Sequence, residues 1–88
     1  MSNPFAKIES VNIAVENSTL VTDIEWSRKA KETSDDPKGA LTLTFIKGER
    51  YEYVGVPSTI LQEMLISESI GKYFHSNIKD KYDTYKEI

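Results

Sequence analysis

Apolar and polar positions alternate in four short runs between residues 10 and 54, and after Pro57 the repeat lengthens to that of a helix. Val11, Ile13 and Val15 alternate with Asn12, Ala14 and Glu16, which predicts a strand with one buried face. Asn17-Ser18 supplies a turn. On the next strand Leu20, Thr22, Ile24 and Trp26 are expected to point inward, against Val21, Asp23 and Glu25. Leu41, Leu43 and Phe45 resume the alternation opposite Thr42 and Thr44. Lys47-Gly48-Glu49 then forms a tight reversal, because Gly48 tolerates the positive φ such turns require, and Tyr51 and Tyr53 share one face of a fourth strand. Gly55-Val56-Pro57 ends the sheet, since proline cannot donate to a ladder.

Beyond Pro57, Ser58 or Thr59 caps a helix carrying Ile60, Leu61, Met64 and Leu65 toward the core. Ser67-Glu68-Ser69 breaks it. Ser69 caps a second helix reaching Tyr82, with Ile70, Tyr73, Phe74, Ile78 and Tyr82 on one stripe and Lys72, Ser76, Lys79 and Asp80 elsewhere. The tail from Asp83 is expected to fray unless Tyr85 and Ile88 pack onto a neighbour. Residues 1–9 form a flexible N-terminal arm, and residues 10–88 form one domain with a polar loop at 27–39. Strands followed by helices predict an α+β fold: a small antiparallel β-meander of three to four strands, then two helices packed on one face. The other face, with Thr42, Thr44 and Tyr51 or Tyr53, is left for a ligand or for another copy, so a homo-oligomer is expected.

Size and composition narrow the chemistry. At 88 residues the chain buries only about 60–65% of its unfolded surface, so nearly every apolar residue is needed in the core. It has no cysteine and one histidine, which removes disulfides and thiolate sites, argues against an all-protein zinc site, and leaves the redox compartment open. No apolar run approaches the roughly 20 residues of a membrane span, and Met-Ser-Asn-Pro lacks the parts of a signal peptide. A cytoplasmic protein with no membrane partner is expected. The net charge of −3 weighs against gripping duplex DNA but leaves room for a small nucleotide or a short RNA, which need only a local positive spot.

Catalysis needs a nucleophile with a base, paired carboxylates or a metal cluster. His75 is the only imidazole, adjacent to Ser76 and therefore facing away from it on a helix. Glu63 and Glu68 read as surface carboxylates, and no glycine-rich phosphate loop or hydrolase elbow is present. No enzyme and no cofactor are expected; a hydrolase would have to lose turnover in His75→Ala. Binding residues are easier to nominate. Trp26, Tyr51, Tyr53 and Tyr73 offer flat faces for a base, Ser69 and the backbone at Gly71 offer a phosphate cradle, and Arg50, Lys72 and Lys79 offer charge, with His75 beside them. Each has a structural alternative: a core aromatic, a simple cap, a solvated lysine.

The sequence Leu41-x-Leu43-x-Phe45-x-x-Gly48-x-x-Tyr51-x-Tyr53-x-x-Val56-Pro57, followed by Ser69-x-Gly71-x-Tyr73-Phe74-x-x-x-Ile78-Lys79-x-x-Tyr82, resembles the KTSC family. That short domain occurs at the C-terminus of some lysyl-tRNA synthetases and as small free-standing proteins of bacteria and their phages. The resemblance spans Ser18 to Tyr82. It departs from the family at the long 27–39 segment and at His75, where asparagine is common. It implies a non-catalytic binding domain with an RNA-related role. Together with the residues above, it gives the expected function: binding a small nucleotide, as in sequestering a host nucleotide signal by a phage protein, or binding a short single-stranded RNA end. The alternative is a protein-interaction module or small inhibitor working through the exposed sheet face or the 27–39 loop.

Overall fold

The computed structural model describes residues 9–16, 18–29 and 36–86, so the expected N-terminal arm, the middle of the 27–39 loop and the end of the tail lie outside the described residues. Five strands, β1 (Ser10–Ala14), β2 (Val21–Arg28), β3 (Lys38–Phe45), β4 (Arg50–Pro57) and β5 (Asp83–Lys86), form one antiparallel sheet in chain order. Helices α1 (Ser58–Ile66) and α2 (Ile70–Asn77) are inserted between β4 and β5. The α+β class and the placement of the helices agree with the sequence reading. The sheet has five strands rather than three or four, because the tail expected to fray pairs with the open edge of β4, Tyr85 opposite Glu52.

Register fixes the two faces. Leu41 pairs with Trp26 and Tyr53, and Leu43 pairs with Ile24 and Tyr51, so these side chains share the inner face. Leu61 and Met64 from α1 and Phe74 and Ile78 from the α2 region close over them, joining Val21, Ile24, Trp26, Leu41, Leu43, Tyr53 and Val56 in the core. Val21 is fully buried although the alternation placed it outward. A bulge between Val21 and Asp23 puts one extra residue into β2 and reverses the side-chain parity there.

Three ends differ from expectation for local reasons. The α1 cap is not Ser58 or Thr59 but Asp36, distant in sequence. Its Oδ1 accepts from the Thr59 amide at 2.9 Å and the Ser58 hydroxyl at 3.0 Å, and its Oδ2 from the Thr59 hydroxyl at 2.7 Å. A helix opened at Pro57 has no side-chain acceptor of its own there, so the returning loop provides one. Helix α2 stops at Asn77 and not Tyr82, as the Ile78 and Lys79 amides both donate to the Phe74 carbonyl and Asp80 takes a positive φ of 64°. Strand β3 begins at Lys38, inside the segment read as loop, because Gly39 lets the hairpin stem close. A Cβ on Gly39 would lie 2.1 Å from the Ser27 carbonyl oxygen and 2.9 Å from the Trp26 ring.

Candidate functional site

The residues nominated for one site fall in three places. Trp26 is 1% exposed and its indole N–H donates to the Val56 carbonyl at 3.0 Å, so its ring is a sealed core element with no face for a base. Tyr53, 4% exposed, is likewise in the core, and burial pushes its hydroxyl up to about 12, with the charges of Tyr51 and Asp80 adding to the shift. Tyr51 is half-buried beside it. Phe45 joins them edge-on: its ring lies 5.5 Å from Tyr51 and 5.6 Å from Phe74, and Phe74 lies 5.7 Å from Tyr53. The tyrosine pair is therefore part of the inner-face aromatic cluster on which α2 rests, Tyr53 against Phe74 and Tyr51 against Phe45. It does not line the second sheet face, as the sequence reading had left open.

Arg50 lies on the opposite side of the sheet. Its Nη2 meets Glu25 Oε2 at 2.7 Å, and the other Glu25 oxygen accepts from Asn12 at 2.9 Å. The sheet thus separates Arg50 from the helix whose anion it was expected to neutralise.

The remaining nominees gather on α2. Ser69 is the N-cap: its hydroxyl accepts from the Lys72 amide at 3.2 Å, and its carbonyl accepts from the Tyr73 amide at 3.0 Å. Gly71 lies over Leu20, 3.7 Å from where a Cβ would sit, and so beside the β1–β2 connection and away from the tyrosine pair. Tyr73 is half-buried and donates its hydroxyl to Glu63 at 2.8 Å; burial, then this bond and the Glu63 charge, hold the pKa of its hydroxyl well above the ordinary phenol range. Ser67, Glu68, Ser69, Lys72, Tyr73, Ser76 and Asn77 line an open groove of about 480 Å³. Lys72, His75, Ser76 and Lys79 are all exposed; the first three stand on α2, and Lys79 lies in the turn that follows Asn77. His75 also touches the Phe74 ring edge-on at 5.5 Å.

The sequence reading missed the outer sheet face as a patterned surface. Asn12, Glu25, Thr42, Glu52 and Tyr85 stand in one row across all five strands, and Ala14, Asp23, Thr44 and Arg50 stand in the next. Extending the hairpin register from Gly48 would have placed Thr42 beside Glu52. Among the described residues no group of three or more His, Cys, Asp or Glu is placed to hold a metal ion, and no helix is long and apolar enough to cross a membrane.

A five-stranded antiparallel sheet with two helices over one face defines a small α+β domain. The KTSC domain profile matches residues 35–82, more than half of the chain, and the protein belongs to that family. It is similar to the lysine–tRNA ligases of Trichormus variabilis (strain ATCC 29413 / PCC 7937) and Nostoc sp. (strain PCC 7120 / SAG 25.82 / UTEX 2576), each 45% identical over 42 residues. Those residues are 48% of this chain but only 8% of either ligase, so the similarity concerns one short segment of a much longer protein. In fold it is similar to the crystal structure of a KTSC domain protein from Yersinia pestis, with a TM-score of 0.66 at 24% identity, covering 88% of this chain and 96% of that one.

Proposed function

We propose that the protein is a non-catalytic binding module for a nucleotide-type ligand, either a small nucleotide or the end of a short single-stranded RNA, held on the outward side of α2. The observation that carries this reading is that Lys72, His75 and Ser76 of α2, with Lys79 in the turn after it, are exposed next to the groove of Ser69, Lys72 and Tyr73. Two exposed lysines, one on α2 and one in the turn after it, suffice for one or two phosphates, whereas a net charge of −3 disfavours a long polyanion. Glu68 lines the same groove as Lys72 and repels phosphate, so the phosphates are assigned to the two lysines and the sugar or base to the groove's uncharged residues. Trp26, Tyr51 and Tyr53 are not part of this reading, because the core uses their rings. Sharing a segment with proteins named lysine–tRNA ligases supports an RNA-related ligand.

Calorimetry with mono-, di- and cyclic nucleotides, and fluorescence anisotropy with short labelled RNAs, test the proposal. Lys72→Ala combined with Lys79→Ala should weaken binding at least ~10-fold. The logarithm of affinity should fall with the logarithm of salt with a slope of about −1.4, which corresponds to two single-strand phosphate contacts. Lys47→Ala, in the β3–β4 turn, should change neither. Silence across the panel, or a double variant that binds like the parent, overturns the proposal.

A second reading, a protein-interaction module acting through the outer sheet face, is favoured by one observation: Val54 and Tyr85 lie on that face 43% and 59% exposed.

A further inference from the structure

The outer face has a direction. At one end of the β2–β3 hairpin Lys29 and Lys38 are exposed cations directly opposite one another, the Lys29 amide donating to the Lys38 carbonyl at 3.0 Å. Like charges so placed repel each other; the Asp36 carboxylate already feels the Lys38 charge, and a further anion brought to the pair relieves the remaining repulsion. Toward the other end of the same face come Glu25 and Glu52, in the row of Thr42, and then Asp23, in the end row with Thr44 and the one cation there, Arg50, which is joined to Glu25. Asp83, opposite Val54 at the β5 edge, puts one negative charge on the lysine side of the Glu52 row. Between the ends, Ser27, Ala40 and Thr42 are small enough to let another sheet approach, and Val54 and Tyr85 supply exposed apolar surface.

We infer that this face docks a second copy of the same chain. The two sheets lie face to face about a two-fold axis running across the strands, between the Ser27–Ala40 row and the Glu25–Thr42 row. On that axis Lys29 and Lys38 of one copy come over the Asp23 end of the other, and the same contact recurs by symmetry. An axis along the strands would instead stack lysine on lysine and Glu25 on Glu52 of the other copy. Five strands spaced about 4.8 Å apart, each giving about 20 Å of length, present close to 500 Å² per copy. The total of about 1,000 Å² sits at the lower end of specific interfaces, so a weak, salt-sensitive dimer is expected. The helices face outward in this arrangement, so the inference does not depend on what α2 binds.

A charge swap tests it by sedimentation velocity on the full chain, from about 1 to about 200 μM. The unsubstituted protein should gain mass toward a dimer as concentration rises. Lys29→Glu with Lys38→Glu should set acid against acid, Asp23→Lys should set base against base, and each should weaken self-association at least ~10-fold. Mixed in equal amounts, the two variants should form a heterodimer at or above parental strength, since both symmetry-related contacts are then of opposite sign. A parent that stays monomeric throughout, reversal variants that associate like the parent, or a mixture that stays monomeric each overturns the inference; a parent binding an acidic partner instead of itself gives the first of these. Circular dichroism checks folding, and if the reversal unfolds the chain, Lys29→Gln with Lys38→Gln should give a smaller loss of the same kind.

Discussion

The two faces of the sheet obey different physics. On the inner face the side chains are apolar or aromatic, closed off by α1 and α2, and held by shape: Leu61, Met64 and Ile78 are fully buried, and four rings meet edge to face. On the outer face the contacts are polar and open to water, with Glu25 shared between Arg50 and Asn12. Substitutions on the inner face should therefore be costly whatever the solution, whereas the outer face should tolerate change and respond to salt and charge. Recognition can be built on the tolerant face, or on the outward side of α2, without dismantling the core.

The largest effect expected is on the inner face. Phe74→Ala removes the ring that touches Phe45 and Tyr53 and should cost about 3–5 kcal/mol in urea unfolding. A loss below about 1 kcal/mol would mean that α2 is not seated on the tyrosines. Next come two glycines that report the same contrast. Gly39→Ala would drive a methyl into the Ser27 carbonyl and the Trp26 ring and should cost about 3 kcal/mol or more. Gly71→Ala meets only ordinary contact with Leu20 at 3.7 Å and should stabilise α2 by about 0.5–1 kcal/mol.

The third prediction concerns the joint between loop and helix. Asp36→Ala removes the α1 cap and should cost about 1–2 kcal/mol. Burial alone would raise the Asp36 carboxyl, but hydrogen bonds from the Thr59 side chain and amide and from Ser58, with the Lys38 charge, outweigh it and hold the group below its ordinary value. The sign follows: this stability is fully present above the unfolded-state value near 3.9 and is lost as pH falls through the lower folded-state value. Acid unfolding curves of parent and Asp36→Asn should diverge above about pH 4 and converge in stronger acid. The smallest effect is on the outer face. Arg50→Gln breaks a half-exposed ion pair with Glu25 and should change stability by less than about 1 kcal/mol, with the difference shrinking in high salt.

Much of the inner face was legible from spacing alone. Leu41, Leu43, Tyr51 and Tyr53 alternate cleanly, Gly48 takes the positive φ of 99° that its turn suggested, and Ser69 caps α2 as its position implied. The misreadings have physical causes. Strand β5 was invisible because Asp-Thr-Tyr-Lys has no apolar alternation and forms only where β4 offers an unpaired edge. Val21 was misplaced because a bulge does not announce itself in a pattern of period two. Asp36 was missed as a cap because it comes from across a loop. The candidate site divided for a related reason: alternation tells which side chains share a face but not which face the helices will cover. The same aromatic residues suit base stacking or core packing, and Trp26 and Tyr53 went to the core.

Strand β5 reaches its neighbour β4 only after the chain has gone through both helices and come back. Tension applied at the C-terminal side would meet this four-residue rung first and peel it away. The load would then pass to α2 and α1 before it reached the long β2–β3 and β3–β4 ladders. The domain is thus built to yield in stages from one end, with its central hairpins the last part to let go.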